Sequence, residues 1–488
     1  MSRATHSSHL KNMHPLARKD LKYVWHPFTQ MQDWTKEEPI VITSGKGATL
    51  TDQHNRRYLD ANASIWTNLH GHRHPMIDRA IQNQLKKISH SSALGLANEP
   101  ASLLAEKLLK TANPSKLFKH VDSESINPKL NKVFFSDDGS TALETALKLA
   151  YEYARRNGKG NRPKFLSIEN AYHGDTIGAV SVGQVDLFHK SFSGLLFQSD
   201  KVMSPYCYRC PFNKAKPERA DARDYRKCQW ECIGKVRQQF EIGQKKKKNY
   251  AGFVFEPIIQ GVAGMVSHPE GWLRQVANLA REAKVPLIAD EVMTGFGRTG
   301  SLFASHQENV QPDFLCLAKG LTGGYLPMAA TLTTQDVFDS FLGPYDSYKS
   351  FFHGHSYTGN QLGASAALAS LDLLKRTGSA PARRNLQKYL NHALKSLWKS
   401  PFVGDIRQSG LIAGIELVRD WRTREPWPRE KQVGIQVCKE MAKLGVLTRP
   451  IGNVIALMPP YCCTKAQVYK MTSALAKSVK TVLGTIPV

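Results

Sequence analysis

Four short segments place residues capable of chemistry where an apolar run gives way to a turn. Phe314-Leu-Cys-Leu-Ala-Lys319 delivers a lysine, and the turn-rich Leu321-Thr-Gly-Gly-Tyr325 follows it. A lysine held against an apolar wall has a lowered pKa and becomes a nucleophilic amine, the requirement for a Schiff base with an aldehyde. Pro286-Leu-Ile-Ala-Asp290 delivers an acid, with Val292 close enough to pack on a flat ring. A buried carboxylate beside a pyridine nitrogen keeps that nitrogen protonated and so able to draw electrons. In Ser136-Asp-Asp-Gly139-Ser140-Thr141, Gly139 permits close backbone approach and Ser140 can bond an anion. A helix starting there offers free N–H groups to a phosphate. Finally, Asn170-Ala-Tyr172-His173-Gly174-Asp175 offers Tyr172 to stack on a ring, with its hydroxyl free to meet a substrate.

Each segment also has an ordinary reading. Lys319 alone is a surface lysine, Asp290 a solvated strand-end acid, and Tyr172 a packed aromatic in a turn. Asp138 or Ser140 could simply cap a helix. Their joint occurrence is more specific. Phosphate cradle, stacking aromatic, pyridine acid and Schiff-base lysine follow one another in chain order. Together they make a pyridoxal phosphate site.

The elements between them explain how they could meet. Lys132–Ser136, Lys164–Glu169, Gly252–Pro257, Pro286–Ala289, Phe314–Ala318 and Ala329–Thr333 read as strands. Thr141–Arg155 puts Leu143, Ala146, Leu147, Ala150 and Ala154 on one helical face, and Gly271–Lys284 is also helical. Alternating strands and helices predict an α/β fold with a mostly parallel sheet covered on both faces, whose ligands sit beyond the carboxyl ends of the strands. The expected division is a large domain over residues 76–364 and a smaller α+β domain built from both chain ends, 1–75 and 365–488.

Composition narrows the class. The 488 residues, 41% of them hydrophobic, suffice for a large and a small domain with real cores. No apolar run is long enough to span a bilayer, and none near Met1 resembles a secretory signal. Ser2–Lys19 is basic, rich in His and Ser, and fits a disordered tail better than a transit peptide. The 66 basic and 41 acidic residues give +25, a field that favours anionic ligands. No aromatic-interleaved basic motif points to nucleic acid, and the Lys245–Lys248 run reads as a solvated loop. Eight cysteines suit a reducing cytoplasm better than a disulfide scaffold. Four of them, Cys207, Cys210, Cys228 and Cys232, have spacing that a tetrahedral zinc site can use, although a reduced surface insertion is the preferred reading and no metal is assigned.

The run Asp290-Glu-Val-Met-Thr-Gly-Phe-Gly-Arg-Thr-Gly300, followed by Lys319, resembles the class III (ornithine-type) aminotransferases, which are homodimers of fold-type I. Further segments resemble the branch of that class serving biotin synthesis. They are Trp25-His-Pro-Phe-Thr-Gln-Met31, Asn68-Leu-His-Gly71, Pro205-Tyr-Cys-Tyr-Arg-Cys-Pro211, Phe352-His-Gly-His-Ser-Tyr-Thr-Gly-Asn360 and Thr448-Arg-Pro-Ile-Gly452. The resemblance implies ping-pong transamination of 8-amino-7-oxononanoate to 7,8-diaminononanoate. It further implies Lys319 as Schiff-base lysine and proton carrier, Asp290 on the pyridine nitrogen, and Gly139 and Ser140 on the phosphate. Tyr172 covers the ring and touches substrate. Gly354, on the substrate, and His355 and Ser356, on the phosphate, belong to a segment that reaches the site from the other subunit; His355 stands where other members carry proline. Phe28, Ile65 and Arg449 line the substrate pocket, with the Arg449 guanidinium suited to a carboxylate.

The departures concern the amino donor. Members that use S-adenosylmethionine carry tyrosine at position 28, tryptophan at 65 and tyrosine at 456, where this chain has Phe28, Ile65 and Ala456. Some members resemble this chain at these positions and use lysine. S-adenosylmethionine is the default donor by resemblance and lysine the alternative. Two rival readings are a class III enzyme for another ω-amine, opposed by the Trp25 and Phe352 segments, and a non-catalytic binding protein, opposed by the intact Lys319, Asp290 and Arg449.

Overall fold

The computed structural model describes residues 13–118, 127–183, 185–246 and 249–484. The start of the basic N-terminal segment and Lys247 and Lys248 lie outside the described residues. The rest of that segment corrects the expectation of a disordered tail. Helix α1 (Pro15–Tyr23) begins on a His14 cap with proline in its first turn, and buries Ala17.

The N-terminal region continues with strands β1 (Ile42–Lys46), β2 (Thr49–Asp52) and β3 (Arg57–Asp60), then helices α2 (Pro75–Leu85) and α3 (Glu99–Ala112). The middle of the chain runs β4 (Leu130–Ser136), α4 (Gly139–Arg156), β5 (Lys164–Ile168), β6 (Asp200–Val202), α5 (Glu231–Lys245), β7 (Tyr250–Phe255), α6 (Trp272–Glu282), β8 (Leu287–Asp290), β9 (Phe314–Leu317) and β10 (Ala329–Thr334). The C-terminal region holds α7 (Gln361–Lys375), α8 (Ser379–Leu394), β11 (Val403–Ser409), β12 (Ile412–Asp420), α9 (Val433–Lys443), β13 (Val446–Leu447), β14 (Pro450–Ile451), β15 (Val454–Leu457) and α10 (Lys465–Leu483).

Seven strands form the central sheet in the order β4-β10-β9-β8-β7-β5-β6. All neighbours are parallel except β10, which runs against both β9 and β4. Burial on both faces explains the near-continuous apolar strands. The pleat divides them: Phe253, Phe255, Leu287, Ala289, Leu315 and Leu317 pack with Trp272 and Val276 of α6 on one side. Val254, Ile288, Phe314 and Cys316 meet Leu143, Ala146 and Leu147 of α4 on the other. The expected apolar face of α4 is buried throughout. Helix α7 crosses position 365, and its Ala367, Leu371 and Leu374 join the core of the central sheet.

A second core joins the chain ends. Leu59 and Ala61 pack with Leu390, Val433, Met441 and Leu475, and β3 pairs in parallel with β13. A further sheet, β11-β12-β15-β14, closes this region.

The run after β8 fastens the two cores together. Arg298, fully buried, donates from Nη1 to the Pro459 carbonyl (2.9 Å) and from Nη2 to the Asn68 carbonyl (2.9 Å). Tyr461 answers with a hydroxyl donated to the Phe296 carbonyl (2.8 Å). Removing the guanidinium strands buried carbonyls, which costs on the order of 3 kcal/mol in total. An Arg298→Leu variant is therefore expected to unfold at clearly lower urea concentration than the wild type, whereas Arg424→Leu, at a partly exposed loop, shifts the midpoint less.

Candidate active site

The parallel arrangement brings the carboxyl ends of β4, β5, β7, β8 and β9 to one edge of the sheet. The opposite sense of β10 brings its entry loop, Tyr325–Met328, to the same edge. A cavity of about 430 Å³ opens there, within the size range of cofactor sites. All four segments singled out in the sequence line it: Gly139 and Ser140, Tyr172, Asp290 with Val292, and Lys319.

Lys319 is the first residue beyond Ala318 at the end of β9, in a backbone conformation with φ +40°. Its Nζ lies 4.7 Å from the centre of the Trp66 ring. Burial lowers its pKa, and the nearby Asp290 and Glu256 carboxylates oppose that shift. Asp290 ends β8. Its Oδ1 accepts the Val292 N–H (3.0 Å), and its Oδ2 accepts from Nδ1 of buried His173 (2.7 Å). Among the described residues the other ring nitrogen, His173 Nε2, is buried without a partner.

Glu256 follows β7 as Asp290 follows β8. It accepts the backbone N–H of Tyr172 (3.2 Å) and of Gly261 (2.8 Å), and so ties the aromatic segment to the sheet. Burial pushes its carboxyl up to about 7. The Tyr172 hydroxyl donates to Asp175 (2.7 Å), and its ring lies parallel to His189 at 6.0 Å. Burial, then the bond to Asp175, raises its pKa.

Helix α4 begins at the cavity. Asp138 caps it by accepting the Thr141 N–H (2.9 Å), while the Thr141 hydroxyl receives the Asp138 N–H (2.9 Å). Capping and anion binding coexist here, because the cap uses the Thr141 N–H and leaves those of Gly139 and Ser140. Both glycines of the cradle are required sterically. A Cβ on Gly139 would stand 2.6 Å from Val292, and one on Gly174, at φ +118°, would stand 2.0 Å from the Ser140 hydroxyl.

Six other expected residues lie away from the cavity lining. Phe28 and Ile65 are exposed, both with positive φ, and Arg449 is exposed beyond β13. Gly354, His355 and Ser356 occupy a loop after β10, where His355 Nδ1 pairs with Asp137 (2.9 Å). Sequence reasoning passed over His173, Glu256 and Trp66. Glu256 carried a legible signal, an acid ending an apolar strand. His173 and Trp66 carried none beyond their neighbours.

The four clustered cysteines line one small separate cavity, all as free thiols. Burial pushes Cys207 up to about 12 and Cys232 to about 11. Among the described residues no group of three or more His, Cys, Asp or Glu side chains is disposed to hold a metal ion. No described helix is long and apolar enough to cross a membrane.

Known proteins resolve the family. The aminotransferase class-III family matches residues 30–479. The chain belongs to the class III aminotransferases. It is accordingly a pyridoxal-phosphate-dependent enzyme of the fold-type I architecture. An adenosylmethionine-8-amino-7-oxononanoate aminotransferase from Geobacter sulfurreducens is 44% identical over 95% of this chain and 97% of its own. One of the same name from Methanocaldococcus jannaschii is 42% identical over 95% and 98%. The crystal structure of an enzyme of that name from M. jannaschii superposes with a TM-score of 0.85, at 39% identity over 96% of this chain and 98% of that one. A pyridoxal-phosphate-bound amine transaminase from an uncultivated Pseudomonas species gives 0.83, at 32% identity over 93% and 98%. The cavity suits the class III cofactor on this chain's own evidence: a desolvated amine, a buried carboxylate beside it, a glycine-lined helix start and a ring nitrogen left without a partner.

Two outcomes follow from this geometry. A Gly174→Ala variant should still fold but hold pyridoxal phosphate at least about tenfold less tightly, as measured by absorbance after dialysis, because the added carbon displaces Ser140. Glu256 gives a pH dependence. Its folded pKa is raised, so its contribution to stability is complete below its usual value of 4.5 and is lost as pH rises through about 7. Urea midpoints at pH 5 and pH 8 should therefore differ less in Glu256→Gln than in the wild type.

Proposed function

We propose that this enzyme transfers an amino group to 8-amino-7-oxononanoate, giving 7,8-diaminononanoate for biotin synthesis. One observation carries the reading: near-full-length relatives at 40–44% identity bear the name of that aminotransferase. The aldehyde and the electron-withdrawing pyridinium come from the bound cofactor. Lys319 would hold that aldehyde and would then carry the proton at the reacting carbon as general acid and base. Burial, which lowers its pKa, favours the neutral amine. Asp290 would keep the pyridine nitrogen protonated, with His173 fixing the carboxylate for that task. Gly139 and Ser140 would hold the phosphate through their N–H groups and the Ser140 hydroxyl. Tyr172 covers the ring and meets substrate, Arg449 receives the substrate carboxylate, and Phe28 and Ile65 line its path.

The working unit is a homodimer in the cytoplasm. His90 bonds the Ser356 carbonyl (2.8 Å), and its ring lies tilted against that of Tyr357 with centres 4.9 Å apart. Leu94, Leu96, Phe352 and Tyr357 are all exposed, and a second copy would cover the face around Phe352 and Tyr357. That face carries His355 and Ser356, and so would bring them to the phosphate in the other subunit, with Gly354 beside the substrate there. The division into a smaller unit from residues 1–75 and 365–488 and a larger one between them rests on the shared core of Leu59 and Ala61 with Val433 and Leu475. Helix α7 moves the second joint toward Lys375.

S-adenosylmethionine is the donor by likeness of name. A second reading, lysine, is favoured by Phe28, Ile65 and Ala456. Ala456 is buried in one apolar cluster with the cavity residues Trp66 and Met293, so a small side chain there enlarges that wall.

The purified enzyme should form diaminononanoate from 8-amino-7-oxononanoate with one of these two donors, and Lys319→Ala should lose at least about 10³-fold of that rate. Failure with both donors would reject the assignment. Turnover with lysine and little with S-adenosylmethionine would select the second reading.

A further inference from the structure

Residues Ala63, Ser64, Ile65 and Trp66 have φ of +45°, +50°, +60° and +71°. With ψ of +55° at Ser64 and +52° at Ile65, this is a left-handed helical turn made without glycine. Every L-residue is disfavoured in that conformation, a β-branched one most of all, so such a turn persists only where its surroundings impose it. Ile65 is β-branched and its side chain is exposed, so packing of that residue does not hold the turn.

A buried polar cluster does. Asp60, 3% exposed at the end of β3, accepts the Ser64 N–H on Oδ1 (3.0 Å) and the Ser64 hydroxyl on Oδ2 (2.8 Å). The same Oδ2 accepts from His72 Nε2 (3.1 Å). The other nitrogen of His72 accepts from Asn68 Nδ2 (2.9 Å), and Asn68 Oδ1 accepts the Gly71 N–H (2.7 Å). This order of donors assigns the imidazole proton to Nε2, facing the carboxylate. Burial works against the charged form of Asp60, but its bonds to His72 and Ser64 hold its carboxyl below the usual range. The strand beneath is fixed by the pairing of Asp60 with Leu447 in β13. At the far end of the turn, Asn62 accepts both the Trp66 backbone N–H (2.9 Å) and its indole N–H (2.8 Å).

What the turn delivers is the Trp66 ring, which lines the cavity against Lys319 Nζ. Neither Asp60 nor His72 lines that cavity. We propose that Asp60 and His72 are positioning residues: they force the left-handed turn over residues 63–66 and so aim Trp66 as the wall that keeps water from the Lys319 amine. The proposal rests on Lys319 being the reactive amine, but not on any particular substrate.

The groups acting on Lys319 are the Trp66 ring and the Asp290 and Glu256 carboxylates, the last two untouched by changes at residue 60. The test uses the full-length chain freed of cofactor and labelled at Lys319 with an amine-reactive acetyl ester across a pH series, read by peptide mass spectrometry. Wild type should label with a midpoint below that of an ordinary lysine. Trp66→Leu and Asp60→Asn should each raise the midpoint by a similar amount, about one pH unit, and the double variant should raise it no further. Adding Ser64→Gly to Asp60→Asn should recover part of the shift, because glycine adopts the left-handed turn without the clamp. Ser64→Ala, which removes one bond at an exposed side chain, should shift the midpoint less but in the same direction, and it serves if Asp60→Asn does not fold.

A wild-type midpoint in folded Asp60→Asn, or in Ser64→Ala, would overturn the proposal. So would a Trp66→Leu variant that leaves the midpoint where it was. Absence of diaminononanoate synthesis would leave these labelling results standing, so the two readings fail separately.

Discussion

The site depends on one constraint, the common direction of the central strands. A parallel sheet buried on both faces must send its chain reversals through helices, so strand after strand ends on the same edge. Whatever residue follows each strand is then collected at that edge. Ser136, Ile168, Phe255, Asp290 and Leu317 are strand ends of this kind, and the cradle, Tyr172, Glu256, the carboxylate and Lys319 stand at or just beyond them. The single reversed strand, β10, adds its entry loop to the same rim.

Burial of charge makes the collected residues chemically useful. Lys319 is desolvated with Asp290 and Glu256 near enough to oppose its neutralisation, so its pKa is lowered by a balance and not by isolation. The carboxylates are held in turn. His173 secures Asp290, and two backbone N–H groups secure Glu256. Glu291, adjoining Asp290, has a different task. It accepts from the Ser305 backbone and hydroxyl and fixes the loop that leads to Arg298 and on to the second core. Two neighbouring acids thus divide into one that faces the cavity and one that builds its frame.

The wall of the cavity opposite the sheet comes from the N-terminal region, which the second core and Arg298 hold in place. The left-handed turn before Thr67 is strained, and the strain is sustained by a carboxylate anchored in a sheet that both chain ends share. The geometry around the amine thereby depends on residues far from it in sequence and outside the cavity.

The amino-acid sequence by itself determined six of the seven central strands and the α4 helix to within a few residues, because the period of their apolar residues is set locally. It also determined four of the cavity's motifs, since each combines a strand end with a residue type suited to one task. The run from Asp290 to Gly300 with Lys319 was enough to identify the family. Other features needed the tertiary structure. Helix α1 was unreadable because its amphipathic stretch is short and basic, and one buried alanine with a proline-led cap fixes it. His173 and Trp66 were unreadable because their roles are set by Asp290 and Lys319, 117 and 253 positions further along the chain. The left-handed turn contains no glycine to announce it. Only the folded chain brings Asp60, His72 and Asn68 around that turn, and only there does the energy of their bonds exceed the local preference of the backbone.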